Sequence, residues 1–241
     1  MNIIKSSLLI FTLGFLFKLN AQEYNKVNGA WNATFIDMPI SKKVDFRTEL
    51  HFRTISFLSV WDQQLFRPQL LYKPSKNVIW NAGYTYIKNY NEDIFADPRI
   101  RTEHNIWEQV QFVLPLKKSS FSTWIRLEHR FQEELPLQND KSTKSFDFSS
   151  RIRFRLTYQK LLSKSEAKVT WNFVFYNEIF TILNPSGIPY KFNQNWTFLG
   201  FNLKLNQNFT ILSGFQKNTI AKSSSNYLKN RFWNTILFYK L

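Results

Sequence analysis

Residues Phe121–Phe131, FSTWIRLEHRF, keep a two-residue repeat over their whole length. Phe121, Thr123, Ile125, Leu127, His129 and Phe131 fall on one side of it. Ser122, Trp124, Arg126, Glu128 and Arg130 fall on the other. A β-strand sends successive side chains to opposite faces. The stretch therefore makes one largely apolar face and one with a row of long, alternately charged side chains. In a soluble sheet the apolar face would cover a core and the charged face would meet water. In a transmembrane barrel the apolar face meets lipid and the charged face meets the lumen.

The same alternation recurs in eleven segments: 27–36, 44–54, 64–72, 78–90, 103–114, 121–131, 146–158, 169–180, 192–205, 209–218 and 228–241. It is sharpest in the second, where Val44, Phe46, Thr48, Leu50 and Phe52 alternate with Asp45, Arg47, Glu49, His51 and Arg53. Arg67 opposes Phe66 in the third, and Arg151, Arg153 and Arg155 oppose Ile152, Phe154 and Leu156 in the seventh. In the fifth, Glu108 sits on an otherwise apolar face and leaves the register open. β-Branched and aromatic enrichment supports strands throughout, and no amphipathic helix stands out.

The connections predict a two-beat rhythm. Short ones lie near 39–43, 74–77, 117–120, 162–167 and 206–208; longer ones lie near 55–63, 91–102, 134–145, 181–191 and 219–227. Outer-membrane barrels have short periplasmic turns and longer outer loops. Segments of about 9–13 residues suit a tilted bilayer crossing better than the soluble mode of about 5–6. Trp80, Tyr84, Tyr90, Tyr158, Trp233 and Tyr239 lie near segment ends, as interfacial girdles require. A soluble lipocalin-like barrel is the rival, with its apolar face inward around a ligand. Single-chain bacterial barrels have even strand numbers, and a last strand ending on the periplasmic side puts the first residue there too. The expectation is thus an all-β, antiparallel transmembrane β-barrel of twelve strands, with ten as the alternative.

Residues 1–21 read as a signal peptide: Lys5 in the n-region, an apolar run from Leu8 to Phe17, and Ala21 at the cleavage point. The barrel is then expected over 22–241. The apolar run is short for a spanning helix, and no later run is longer, so the mature chain could enter a membrane only as strands. With no cysteine, the chain can build neither disulfides nor a thiolate metal site. Glycine numbers six, and no P-loop, dinucleotide fingerprint or His-Glu-x-x-His pair is present. No cofactor or metal is expected. The net charge of +15 could suit nucleic acid. The basic residues are spread along strands of an exported chain, however, so attraction to outer-membrane lipid and lipopolysaccharide is the better reading. The last strand places Leu237, Tyr239 and Leu241 on one face, which resembles the assembly signal of bacterial outer-membrane proteins.

Four further stretches form an ordered series: Arg-Leu-Glu-His-Arg-Phe at 126–131, Arg-Ile-Arg-Phe-Arg at 151–155, Tyr-Asn-Glu at 176–178 and Asn-Trp-Thr-Phe-Leu-Gly at 195–200. The series resembles the "domain of unknown function 2490" family, outer-membrane β-barrels common in Bacteroidota. The resemblance runs from about Trp31 to the end and departs at Trp196, a position the family pattern gives to Arg. It implies location and architecture and brings no catalytic residues.

A narrow barrel must fill its interior with side chains, and unpaired buried charges are very costly. Asp45, Arg47, Glu49, His51, Arg53, Arg67, Arg126, Glu128, Arg130, Arg151, Arg153, Arg155 and Glu178 are therefore expected to form a paired lumen network. Chain direction puts Glu49, His51, Arg53, Glu128, Arg130, Arg151 and Glu178 in its outer half. The expected role is a non-enzymatic structural or accessory component of the outer membrane, presenting its outer loops to a protein partner. One alternative is a narrow channel for small anionic solutes, since Arg rows suit anions. Another is a barrel hydrolase using His51 beside Glu49. His129 falls on the apolar face, and His104 begins the fifth segment, at its border with the preceding loop.

Overall fold

The computed structural model describes residues 22–24, 27–90, 99–135, 145–163, 168–222 and 226–241. The expected signal peptide lies outside them. Twelve strands and no helix occur among the described residues. They are β1 (Gln22–Tyr24), β2 (Asn28–Pro39), β3 (Val44–Ile55), β4 (Val60–Tyr72), β5 (Val78–Asn89) and β6 (Arg101–Pro115), followed by β7 (Ser119–Glu134), β8 (Ser145–Leu161), β9 (Thr170–Leu183), β10 (Pro189–Lys204), β11 (Phe209–Ala221) and β12 (Asn226–Lys240). From β2 to β12 each strand pairs antiparallel with the next.

The barrel closes where β12 runs parallel to β2, from Arg231 opposite Asn28 to Lys240 opposite Asp37. β1 lies along the same edge of β12, with Gln22 opposite Asn226 and Tyr24 opposite Leu228. β1 and β2 thus share one position in the wall, and eleven strands go round. This corrects the expectation of twelve or ten. Evenness follows only when both ends of the chain leave the barrel on the same side. Here β2 starts at one end and β12 finishes at the other, so first and last strands point the same way, and a parallel ladder joins them.

The loop rhythm is weaker than its expectation. One end carries the connections 40–43, 73–77, 116–118, 162–169 and 205–208; the other carries 56–59, 90–100, 135–144, 184–188 and 222–225. Only 90–100 and 135–144 are long, because β4, β10 and β11 extend into the stretches expected as loops. In the 56–59 turn, Ser56 and Phe57 both take positive φ, and the Thr54 hydroxyl shares its one proton between the carbonyls of Ala30 and Phe57, 2.9 and 2.7 Å away.

Alternation sorts the side chains. Trp80, Ile106, Phe112, Ile125, Leu199, Phe201 and Trp233 are exposed on the outer wall, while Trp107, Trp124, Phe180, Phe198 and Phe232 are buried within. Glu108 settles its strand's register: it faces outward between Ala82 and Leu127, which turns Trp107 inward. His129 bonds Ser150 at 3.0 Å, and His104, near the start of β6, bonds Tyr84 at 2.5 Å.

Candidate functional site

The interior is built from long side chains that leave alternate positions of β3 to β9. On β3, Arg47 grips Asp37 of β2 with two bonds, 2.5 and 2.7 Å. Asp45 pairs with Lys73. Glu49 is 4% exposed and accepts from Arg67 at 2.9 Å and from Gln69 at 2.5 Å. Its oxygen also lies 3.0 Å from Nε2 of His51. Arg53 donates to Gln63 at 2.5 Å and stacks 4.0 Å above the ring of Trp31.

Across β7, β8 and β9 the pairs join into a chain. Arg151 donates twice to Glu128, at 2.8 and 2.6 Å. Arg153 bridges Glu128 and Glu178, each at 2.7 Å. Arg155 donates its Nε to Glu178 at 2.8 Å. Register builds this order, since Glu128 stands opposite Arg151 and Arg155 opposite Glu178. Arg130 holds a separate partner, Glu103, at 2.8 and 3.0 Å. Charge-assisted, two-pronged bonds of this kind are the strong ones. They offset the cost of burying the ions.

The interior holds two chambers. The larger, about 470 Å³, reaches Asp37, Asp45 and Lys73 at the end where the chain finishes. The smaller, about 250 Å³, reaches Gln63, Asn89 and Gln132 at the other end. Trp31, Arg53, Arg67, Arg153 and Trp196 line both. A bar of contacts crosses between them. The guanidinium carbons of Arg53 on β3 and Arg153 on β8, strands of opposite walls, each lie 5.6 Å from the ring of Trp196. Trp196 also meets Trp31 edge-on at 5.2 Å. A tryptophan here accepts two cations on its faces, where a third arginine would need its own carboxylate.

The seven residues expected in the outer half divide. Glu49 and His51 line the larger chamber, Glu128, Arg130 and Arg151 the smaller, Arg53 both, and Glu178 is wholly buried between Arg153 and Arg155. Barrel strands tilt, so equal distance along two strands is not equal height. Sequence reasoning missed the partners Asp37, Lys73 and Glu103 and the aromatic faces Trp31 and Trp107; Trp124 it placed on the charged face. Glu103 and Trp107 share the period-two set of Asn105 and Gln109, a signal that Glu108 obscured. The hydrogen bond of His51 goes to Glu49, and among the described residues no serine or threonine hydroxyl bonds it. Nor do the described residues gather three or more His, Cys, Asp or Glu as a metal site.

A family described as "Protein of unknown function (DUF2490)" matches residues 28–229. No curated protein and no solved structure matches the chain.

Proposed function

The chain belongs to the DUF2490 family, and from that premise we propose that it is an outer-membrane β-barrel of a Gram-negative, Bacteroidota-type cell, exported by residues 1–21 and serving as a non-enzymatic structural or accessory component. Three features support the location. The eleven wall strands are 12 to 17 residues long, and about 9–11 suffice for a tilted crossing. The outer wall is largely apolar and aromatic while most of the buried charges line the interior chambers, the reverse of a lipocalin-like barrel. Lys217 and Arg231, exposed register partners on the outer face, would meet anionic lipid or lipopolysaccharide headgroups. The loops 90–100 and 135–144 are the surfaces for a protein partner.

The bar through Trp196 carries the functional reading. It spans the interior on side chains already ion-paired or stacked, so solute passage would require breaking buried pairs. The barrel then acts as a filled wall element and not as an anion channel. Planar-bilayer recording of the refolded mature chain tests this: no resolvable current is expected, and a steady anion-selective current overturns it. Release in soluble form without detergent would overturn the membrane location.

A further inference from the structure

Among the described residues, two cations that line the larger chamber, Arg53 and Arg126, have no carboxylate within hydrogen-bond distance. Arg47, Lys73 and Arg67 face Asp37, Asp45 and Glu49. Arg153 and Arg155 share Glu178. Arg53 sits at the bar and donates to Gln63, which lines the smaller chamber. Of the two chambers, Arg126 lines only the larger. It is 6% exposed, lines the chamber, and donates its Nε to a neutral acceptor, Gln109 Oε1, at 3.0 Å. Its guanidinium carbon lies 3.9 Å above the ring of Trp107. The nearest carboxylate oxygen, Glu128 Oε1, is 3.8 Å from Nη1 and already accepts from Arg153 at 2.7 Å. Nη1 has no hydrogen-bond acceptor among the described residues.

A buried guanidinium held by an amide and a ring, and not by a carboxylate, is suited to an exchangeable anion. A buried charge is expensive unless paired, so an incoming oxyanion gains what the protein leaves unsupplied. Arg67 and Arg153 lie within electrostatic reach of Arg126 and add to the pull. Trp124, whose ring is 5.2 Å from the same guanidinium, and Tyr176 provide aromatic lining. The volume falls within the usual range of small-molecule sites.

We propose that the larger chamber is a blind binding site for a small solute with a carboxylate or phosphate head, taken up from the end where β12 finishes, with Arg126 as its anion contact. The site goes beyond the structural role proposed above and needs neither conduction nor membrane insertion, so each can fail alone.

Tryptophan fluorescence titration of the full mature chain in detergent micelles tests it. The probes are benzoate, inorganic phosphate, and neutral benzamide as the control. Saturable binding of benzoate or phosphate is expected, with none for benzamide. Arg126→Gln should weaken it roughly tenfold to a hundredfold, the size of a hydrogen bond to a charged group. Gln109→Glu keeps the shape and hands Arg126 a carboxylate. It should weaken anion binding as much without lowering stability, so the test survives if Arg126→Gln does not fold. Absence of saturable anion binding, equal binding of benzamide, or unchanged binding by Gln109→Glu overturns the proposal.

Discussion

The walls β7–β9 and β10–β12 meet side by side yet hold the interior by different chemistry. The first is a chain of ions, Arg151–Glu128–Arg153–Glu178–Arg155. The second has no charged interior side chain from Trp196 to Asn202, Leu212 to Ile220 or Leu228 to Phe238. Its polar groups are amides: Gln216 accepts from Tyr176 at 2.8 Å and Asn234 at 2.6 Å, and donates to Asn218 at 2.8 Å. Its rings fit by shape, Phe198 stacking on Tyr176 at 4.9 Å and Phe232 on Trp31 at 4.2 Å. The ionic wall depends on each charge keeping its partner. The neutral wall depends on volume.

Glu178→Ala should break the ionic wall most severely. Glu178 is wholly buried. Its removal leaves Arg155 with no carboxylate and Arg153 with Glu128 alone. Breaking a buried pair costs about 3–5 kcal/mol, and two guanidiniums are affected. Urea unfolding of the protein refolded in micelles should show the largest loss here. Glu178→Gln, which keeps an acceptor oxygen, should lose less. A loss below about 1 kcal/mol, the range of exposed pairs, would mean that the ions are effectively solvated.

Phe198→Ala probes the neutral wall and should cost about 3 kcal/mol, the lower part of the range for a large aromatic truncated in a core. Its ring lies over Gly200 and Gly214, which face each other across β10 and β11. The hole cannot be refilled from below. A Cβ on Gly200 would sit 2.3 Å from the carbonyl oxygen of Ser213, so adding Gly200→Ala should worsen the loss. The same unfolding measurement checks both variants, and a double variant more stable than Phe198→Ala would refute the shape account.

This contrast explains what could be read from the sequence. Which residues face inward follows from period two alone, so Arg151, Arg153 and Arg155 could be placed without coordinates. Which carboxylate each one meets depends on register between strands, and register is not local. The neutral wall left less signal still: Phe198 and Gln216 alternate like any strand residues, and their fit depends on two glycines that meet only across a strand pair. Strand number failed for a different reason. Eleven segments are legible, but the rule that both chain ends lie on one side argues for an even number, and the parallel seam of β12 on β2 has no local signature. The connection expected over 55–63 is only 56–59, because the register slips between Arg53 and Thr54 and hides the start of β4.

The smallest effect should come from a pair that resembles the ionic wall in chemistry but not in depth. Asp37 and Arg47 are register partners on β2 and β3, joined by two bonds at the mouth of the larger chamber. Their side chains are 19% and 22% exposed, against 0% for Glu178. Water reaches both ions, so losing the pair costs little more than an exposed contact does. Asp37→Asn should therefore lower stability by no more than about 1 kcal/mol, and added salt should shrink even that, because exposed charges are screened while buried ones are screened much less. Unfolding curves at low and high salt separate the cases. A salt-independent loss comparable to that of Glu178→Ala would place the Asp37–Arg47 pair within the buried chain and extend the ionic wall from β9 round to β2.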